Sequence, residues 1–294
     1  MKVFTHPACL RHHAGAGHPE SPARLEAVLA RLENLSRVSL REAAPAGRED
    51  LRAVHPASYL DALERCAQAG GGRLDPDTVM NEWSWSAAQA AAGSAIAAVQ
   101  SALHGAPAFA AIRPPGHHAL AERAMGFCLL ANAVIAVKAA QRAGCERVLI
   151  VDWDVHHGNG TQALVENDPA VRFVSLHQWP AYPGTGRAEE RGVGNVFNVP
   201  MPAGLAPERY VEELWRHILT ATEGWSPALV LVSAGFDGMR DDPLGGFTLE
   251  PGHYAELTRR LREHLPAAAF AGVLEGGYAP SRVAEAVVAH LTAV

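Results

Sequence analysis

The stretch VLIVDWDVHHGNGTQ, residues 148–162, contains the pattern that decides the fold. It begins with four apolar residues, 148–151, and then changes at once to acidic and imidazole side chains. A short apolar run without polar alternation is typical of a strand that is buried on both faces of a parallel sheet. The polar residues after it would then lie at the carboxyl end of that strand, which is where ligands bind in open α/β sheets.

Five more apolar runs repeat this pattern along the chain, over residues 108–112, 171–176, 196–199, 229–232 and 270–274. Helical patterns occur over residues 22–35 (with Ser21 as N-cap), 85–103, 127–142, 207–222 and 251–265. Alternation of buried strands with helices predicts an α/β fold with a mainly parallel sheet between helices on both faces.

The composition excludes several classes of protein. The 294 residues carry a net charge of −6, with 48% hydrophobic and 19% charged residues, as in ordinary globular chains. Basic residues never occur in runs longer than two, so we expect no nucleic-acid partner. The first residues contain no apolar leader, and the longest apolar stretch, 126–137, is too short to span a bilayer. We therefore expect a soluble, cytoplasmic protein with no membrane partner, and its four cysteines as reduced core thiols.

Asp152, Asp154 and His156 occupy alternate positions after the run 148–151. In extended backbone, all three side chains would project from one face. Carboxylates beside an imidazole are a typical donor set for a divalent metal. Asp237, which follows the run 229–232, would complete a set of two carboxylates and one histidine and leave one coordination position open, as in catalytic zinc sites. The alternative is an N-cap, a loop histidine and a turn aspartate.

Two smaller clusters follow other apolar runs. His117 and His118 are adjacent in RPPGHHA, residues 113–119, and adjacent imidazoles suit metal binding or general acid–base catalysis. The alternative for them is a solvated pair in a loop. Tyr278 follows two glycines after the last run, and its hydroxyl would donate to a developing oxyanion unless the residue only anchors the loop.

Together and in this order, the motifs resemble those of the histone deacetylase superfamily, which includes acetylpolyamine amidohydrolases. The resemblance is strongest to its zinc-dependent class II-like branch. The matching stretches in chain order are HPESPARL (18–25), RPPGHHA (113–119), GFCLLANAV (126–134), VDWDVHHGNGTQ (151–162), YPGTG (182–186), SAGFD (233–237), DDPLGG (241–246) and LEGGY (274–278). The resemblance implies the three-layer α/β/α fold shared with arginase, and a single deacetylase domain over residues 1–294.

The resemblance also implies a role for each residue of the clusters. Zn²⁺ would be held by Asp154, His156 and Asp237. His118 would act as general base toward the attacking water and then as acid toward the leaving amine, with Asn159 as its hydrogen-bond partner.

The other residues of the catalytic group would stabilise charge. His117 would stay protonated beside the buried carboxylate of Asp152, and Tyr278 would stabilise the tetrahedral oxyanion. A potassium ion would bind near the zinc through main-chain and side-chain oxygens of Asp152, Asp154, His156, Ser175 and Leu176.

For the substrate, the resemblance implies a narrow tunnel with Phe127 and Tyr182 as its walls. The Gly126 carbonyl would accept the substrate amide N–H, and Leu244 would lie at the rim. Polyamine-selective relatives carry Glu at the position of Leu244, which pairs with a secondary ammonium. Leu cannot supply that charge, so we expect an acyl-lysine peptide or protein as substrate. The alternative is a small acetylated amine such as an acetylpolyamine.

Two further hypotheses belong to other mechanistic classes. An arginase-like dinuclear manganese hydrolase would need additional aspartates to bridge a second metal. A non-catalytic binding module would be expected to have lost metal ligands or Tyr278, yet all of them are present. Six histidines outside the clusters are expected to be solvated: His55, His104, His217, His253, His264 and His290.

Overall fold

The computed structural model describes residues 1–294 and contains ten strands and nine α-helices. The strands are β1 (Lys2–Thr5), β2 (Ser39–Glu42), β3 (Gly71–Arg73), β4 (Val79–Asn81), β5 (Ala108–Ala110), β6 (Val148–Asp152), β7 (Val171–Gln178), β8 (Val196–Met201), β9 (Leu229–Ala234) and β10 (Ala269–Leu274). The helices are α1 (Pro22–Leu32), α2 (Arg48–Arg52), α3 (Ala57–Gln68), α4 (Ser84–Leu103), α5 (Asn132–Arg142), α6 (Asn159–Val165), α7 (Pro207–Thr222), α8 (Pro251–His264) and α9 (Pro280–Thr292).

Eight of the strands form one sheet in the order β2-β1-β5-β10-β9-β6-β7-β8. Every neighbouring pair in this sheet is parallel. β3 and β4 form a separate antiparallel hairpin. Because parallel neighbours need a crossover connection, helices alternate with the strands along the chain. The prediction of an α/β fold with a mainly parallel sheet is confirmed.

Helices cover both faces of the sheet. Every residue of β6 and β9 is buried, and successive side chains of a strand point to opposite faces. α4 packs against β1, β5 and β10, whereas α7 packs against β7 and β8. The buried hydrophobic residues form one continuous core. The three-layer α/β/α arrangement is therefore confirmed, and a single domain over residues 1–294 stays a prediction that this core supports.

The six apolar runs of the sequence correspond to β5 to β10, and four of the five predicted helices end within three residues of their expected bounds. The fifth, α5, begins at Asn132 instead of residue 127. Gly126 and Phe127 have φ angles of 56° and 67°, which lie in the left-handed region and cannot be part of an α-helix. Ser21 is the N-cap of α1 by position, but its side chain makes no capping hydrogen bond.

Elements with short or weak apolar patterns were not predicted, namely β1 to β4, α2, α3, α6 and α9. Two predictions about histidines are wrong. His55 and His290 were expected in solvent, but both are fully buried. His290 lies on α9, where Val283, Val287 and Leu291 form the same buried face, so the unrecognised helix accounts for the error.

All four cysteines are free thiols, and Cys66 is partly exposed while Cys9, Cys128 and Cys145 are buried. None of the helices combines the length and the apolar character that crossing a membrane requires.

Candidate active site

The polar clusters of the sequence meet at one edge of the sheet. β5, β10, β9 and β6 are neighbours in that order, and each is followed by one of the clusters. Because these strands are parallel, their carboxyl ends lie at the same edge. This arrangement brings together His118 after β5, Tyr278 after β10, Asp237 after β9 and Asp154 after β6. The sheet topology therefore assembles a site from residues far apart in sequence.

Asp154, His156 and Asp237 form a compact group of possible metal ligands. One ligand atom from each residue lies within 4.8 Å of the other two. The Nδ1 atom of His156 is 3.1 Å from Asp154 Oδ1 and 3.2 Å from Asp237 Oδ2. Both carboxylates are fully buried, and Asp237 Oδ2 has no hydrogen-bond partner. Two buried carboxylates that converge on one imidazole nitrogen fit a divalent cation.

Turns bring these side chains together, and not a continued strand. β6 ends at Asp152, and the Asp154 N–H then donates to Asp152 Oδ1 at 3.1 Å. The His156 N–H donates to Asp154 Oδ1 at 3.0 Å, and the Val155 N–H donates to Asp237 Oδ1 at 2.8 Å. The expectation that three alternate residues project from one face of extended backbone is therefore wrong for this segment. The backbone amides of residues 154–156 thus hold the carboxylates of Asp152, Asp154 and Asp237 in fixed orientations.

Two glycines allow the backbone to approach the carboxylates closely. The Gly276 N–H donates to Asp154 Oδ2 at 2.8 Å. A Cβ atom on Gly276 would lie 2.2 Å from Asp237 Oδ2 and 2.5 Å from Asp154 Oδ2, and one on Gly235 would lie 2.1 Å from Asp154 Oδ2. A side chain at either position would displace the carboxylates.

His117 and His118 have different partners and opposite electrostatic surroundings. Their ring centroids are 4.0 Å apart. His117 Nδ1 lies 3.1 Å from Asp152 Oδ2, and His118 Nδ1 lies 2.8 Å from Asn159 Oδ1. Burial lowers the pKa of His117, but the negative charges of Asp154 and Asp152 outweigh it and hold the pKa well above its ordinary value.

The pKa of His118 is shifted in the opposite direction. Burial lowers this pKa, and the positive charges of His117 and His156 lower it further. At neutral pH the pair therefore consists of an imidazolium and a neutral imidazole. A neutral imidazole is able to accept a proton, which is what a general base requires.

A buried carboxylate that was not predicted from the sequence supports the histidine pair. Glu275 accepts hydrogen bonds from the Gly116 N–H at 2.7 Å and from the His117 N–H at 3.1 Å. Burial raises the pKa of Glu275 to about 7, against the lowering effect of the His117 charge. The sequence did contain an indication of this residue, because the glutamate of the motif LEGGY directly follows β10.

A fully buried ion cluster, also not predicted, lies beneath the loop that carries Tyr278. Arg113 donates to both carboxylate oxygens of Glu20, at 2.5 and 2.6 Å. Arg24 donates to Glu20 at 3.0 Å, to the Glu275 carbonyl at 2.5 Å and to the carbonyl of the glycine that precedes Tyr278. These charges are paired and hydrogen-bonded, as buried charges must be. The cluster fixes the backbone on which Tyr278 stands.

Tyr278 itself is held from both sides. Its N–H donates to Asp242 Oδ2 at 2.6 Å, and the Arg24 guanidinium carbon lies 4.8 Å from the centroid of its ring. Burial raises the pKa of Tyr278 well above its ordinary value, although the Arg24 charge lowers it. The phenol therefore keeps its proton and is a hydrogen-bond donor.

A cavity of about 280 Å³ leads to these residues. It is lined by Asp77, His118, Gly126, Phe127, His156, Ala181, Tyr182, Leu244 and Tyr278. The structure thus brings all four predicted substrate-binding residues to one cavity. Tyr182 and Leu244 are 39% and 40% exposed, which places them at its mouth. Asp77 and Ala181 were not predicted. Nothing in the sequence links the segment around Asp77 to the site, and Ala181, although it precedes Tyr182, has no side chain that indicates a function.

The residues of the expected potassium group also lie close together. Asp152 at the end of β6 pairs in register with Ser175 on β7, and Leu176 follows Ser175 in the same buried strand. The Ser175 hydroxyl lies 3.0 Å from Nδ1 of His177.

Comparison with known proteins gives consistent results. A model of the histone deacetylase domain matches residues 18–294. The chain is 41% identical to the histone deacetylase-like amidohydrolase of Pseudomonas aeruginosa over 286 residues, which cover 92% of this chain and 75% of that protein. It is 38% identical to a probable deacetylase of Archaeoglobus fulgidus over 290 residues, which cover 94% and 80%.

Among solved structures, the HD domain of HDA15 superposes with a TM-score of 0.95 at 36% sequence identity, covering 99% of this chain and 90% of that one. The family model and the superposed structure both include the polar clusters at the edge of the sheet, and the relatives align over more than nine-tenths of this chain. The chain belongs to the histone deacetylase family.

Proposed function

We propose that the protein is a zinc-dependent amidohydrolase that removes an acetyl or other acyl group from the side-chain amine of acyl-lysine in proteins or peptides. The observation behind this proposal is that the donor group of Asp154, His156 and Asp237 lies beside the imidazole of His118, and that His118 and His156 line the same cavity. A metal site next to a base in a cavity is what hydrolysis of a single amide bond needs.

The residues present fit the metal. Asp237 Oδ2 is buried without a hydrogen-bond donor, and burial together with the Asp154 charge raises the pKa of Asp237 to about 7. A cation held by Asp154, His156 and Asp237 would satisfy this oxygen and the excess negative charge. Zinc supplies Lewis acidity there, which polarises a carbonyl group and makes water more acidic. We include a potassium ion at the group around Asp152 and Ser175 in the same proposal, because these two residues are paired in register on neighbouring strands.

His118 is the group that moves the proton. The amide oxygen of Asn159 can only accept a hydrogen bond, so Nδ1 of His118 carries the hydrogen and donates to it. Nε2 of His118 is then free to accept a proton. His118 Nε2 would accept the proton of the attacking water and later give it to the leaving amine. The neutral state of His118 is favoured by burial and by the neighbouring imidazolium of His117.

His117 and Tyr278 stabilise negative charge that develops during the reaction. His117 stays protonated, because the carboxylates of Asp152 and Asp154 face its two ring nitrogens at 3.1 and 3.7 Å. Tyr278 lines the cavity as a phenol with a raised pKa, so its hydroxyl remains a donor to an oxyanion. Donors that are fixed before the reaction are effective because they need no reorganisation.

The walls of the cavity select a long, unbranched stem. Phe127 and Tyr182 line it, and Leu244 at the mouth carries no charge. A secondary ammonium at Leu244 would lose water without gaining a partner, whereas the methylenes of acyl-lysine would not. The Gly126 carbonyl would accept the substrate N–H in addition to the thiol of Cys128, whose Sγ lies 3.3 Å away.

A small acetylated amine is the second candidate substrate, and one observation favours it. Asp77 is the one carboxylate among the cavity-lining residues. It would attract an ammonium group near the mouth, as an acetylpolyamine carries. We keep acyl-lysine as the first candidate because an Asp at the mouth also accepts hydrogen bonds from the backbone of a peptide.

A substrate panel tests the proposal. The zinc-loaded protein is assayed with acetyl-lysine peptides, longer acyl-lysine peptides and N8-acetylspermidine. We expect the highest kcat/KM for an acetyl-lysine peptide, and loss of turnover in the variants His118→Ala and Asp237→Ala. Wild-type rates no higher than those of His118→Ala on every substrate would contradict the proposal. The cytoplasmic location and the absence of nucleic-acid and membrane partners stay predictions.

A further inference from the structure

Two consecutive residues of the cavity wall have an unusual backbone conformation. Gly126 and Phe127 have φ angles of 56° and 67°. Apart from Asp241, Phe127 is the only residue other than glycine with a positive φ. A bulky side chain seldom adopts the left-handed region, so something in the surroundings must hold it there.

Side chains from a distant segment bind the two amides of this turn. The Gly126 N–H donates to Asp77 Oδ1 at 3.1 Å, and the Phe127 N–H donates to the Thr78 hydroxyl at 3.0 Å. The Thr78 hydroxyl in turn donates to Asp77 Oδ1 at 2.7 Å. Thr78 is only 1% exposed, so water cannot replace it as an acceptor. One hydroxyl thus completes a closed set of hydrogen bonds around the turn.

Asp77 and Thr78 lie where the β3–β4 hairpin turns, next to the site. Asp75 of the same turn forms an ion pair at 2.8 Å with Arg123, which precedes the Gly126–Phe127 turn. The hairpin therefore contacts the segment 123–127 at three successive points. This hairpin is not part of the central sheet, and its sequence, GGRLDPDTVMN, gave no sign of a functional role.

We propose that Thr78 is a positioning residue for the substrate tunnel. Its hydroxyl holds the Gly126–Phe127 turn in the conformation that places the Phe127 ring and the Gly126 backbone against the substrate. Phe127 then packs edge-to-face against Tyr278, with ring centroids 5.7 Å apart, and lines the cavity. Thr78 does not line the cavity and acts through the turn. The inference rests on the proposed function, because it assumes that an acyl-lysine stem fills this tunnel.

Two variants separate the hydroxyl from the rest of the side chain. Thr78→Val keeps the shape and removes the acceptor, and Thr78→Ser keeps the hydroxyl. Thr258→Val is the matched control, because Thr258 is a fully buried threonine on α8 whose hydroxyl is also hydrogen-bonded and does not line the cavity. Each zinc-loaded protein is assayed with an acetyl-lysine peptide and with p-nitrophenyl acetate, which is too short to need the tunnel walls.

We expect Thr78→Val to raise KM for the peptide roughly tenfold, the effect of losing one or two buried hydrogen bonds, with a smaller change in kcat. Hydrolysis of p-nitrophenyl acetate should stay within about twofold of wild type, because the metal site and His118 are unchanged. Thr78→Ser and Thr258→Val should retain the wild-type KM. Equal losses on both substrates, or no change of KM in Thr78→Val, would overturn the proposal.

A measurement without turnover tests the positioning itself. Hydrogen exchange of the segment 125–128 should be faster in Thr78→Val than in wild type and unchanged in Thr258→Val. Unchanged exchange in Thr78→Val would refute the positioning role even if activity falls. If the wild type hydrolyses neither substrate while exchange responds as expected, the proposed function fails and the positioning of the turn stands.

Discussion

The Nδ1 atom of His118 lies 2.8 Å from the amide oxygen of Asn159. The equivalent nitrogen of His117 faces the carboxylate of Asp152 instead. An amide orients an imidazole as well as a carboxylate does, but it cannot stabilise the charge that the imidazole gains on protonation. The choice of Asn or Asp at position 159 therefore controls how basic His118 is, without changing the way the ring points.

Asn159→Asp should raise the pKa of His118, because a negative charge would replace a neutral partner at hydrogen-bond distance. The base must be neutral to accept a proton, so activity falls as pH drops through this pKa. A raised pKa moves that acidic limb of the kcat/KM profile to higher pH, by about one unit or more. The profile of both proteins measured from pH 5 to 9 checks this. An unchanged limb, or a shift to lower pH, would remove His118 from the role of base.

Gly276→Ala should reduce zinc affinity. The added Cβ would lie 2.2 Å from Asp237 Oδ2 and 2.5 Å from Asp154 Oδ2, so both carboxylates must move. Changes that disturb the orientation of metal ligands typically cost about 10- to 100-fold in affinity. Zinc content after dialysis against a weak chelator measures the loss. Gly252→Ala is the control, since its Cβ would meet nothing within 4 Å. Full zinc retention in Gly276→Ala would contradict the assignment of these ligands.

Leu244→Glu should shift substrate preference toward an acetylpolyamine. The new carboxylate would lie at the exposed mouth of the cavity and pair with a secondary ammonium. Since exposed ion pairs contribute little, we expect the ratio of kcat/KM for N8-acetylspermidine to that for an acetyl-lysine peptide to rise by about fivefold. The rise should diminish at high salt, which screens the pair. Leu244→Gln adds polarity without charge, and the same rise in that variant would show that charge is not the cause.

His290 should make the protein less stable at acidic pH. Burial lowers its pKa to about 3, whereas in the unfolded chain it has the ordinary value of 6.5. Between these values the unfolded state binds a proton that the folded state does not, so the free energy of unfolding falls as pH decreases. The contribution is at most about 1.4 kcal/mol per pH unit.

Urea unfolding at pH 7, 6, 5 and 4 measures this effect in wild type and in His290→Gln. The variant cannot gain the proton, so its stability should fall less steeply than that of wild type below pH 6.5. Parallel pH dependences in the two proteins would mean that His290 does not titrate in this way. A loss of metal at acidic pH would affect both proteins alike, because His290 lies on α9 among aromatic rings such as those of Phe109 and Trp153 and is not a member of the proposed donor group.

Site residues could be predicted where a metal-ligating or proton-transferring side chain follows an apolar run. Asp154, Asp237 and His118 each follow an apolar run, and parallel strands bring such positions to one edge. Thr78 and Glu20 could not be predicted in this way. Thr78 follows no apolar run, and its role depends on a hairpin contacting a turn nearly fifty residues away, which local patterns do not encode. Glu20 forms its buried ion pairs with two arginines that only the folded chain places next to it.

The fold could be predicted in outline for a similar reason. The long apolar strands are central and buried, so hydrophobicity alone reveals them. β1 and β2 are short strands toward one edge of the sheet with exposed residues in both, and their pattern does not stand out. The start of α5 was misplaced because periodicity continues through Phe127, although its backbone is left-handed.

The position of β1 determines how the chain can be shortened. The family model begins at residue 18, yet β1 (Lys2–Thr5) lies inside the sheet between β2 and β5. A chain trimmed to residues 18–294 would leave β2 without a partner and turn β5, with its buried Phe109, into an open edge. Unpaired apolar edges recruit strands from other molecules and promote aggregation. We therefore expect the trimmed chain to aggregate more readily than the whole chain, even though no catalytic group lies among the first seventeen residues.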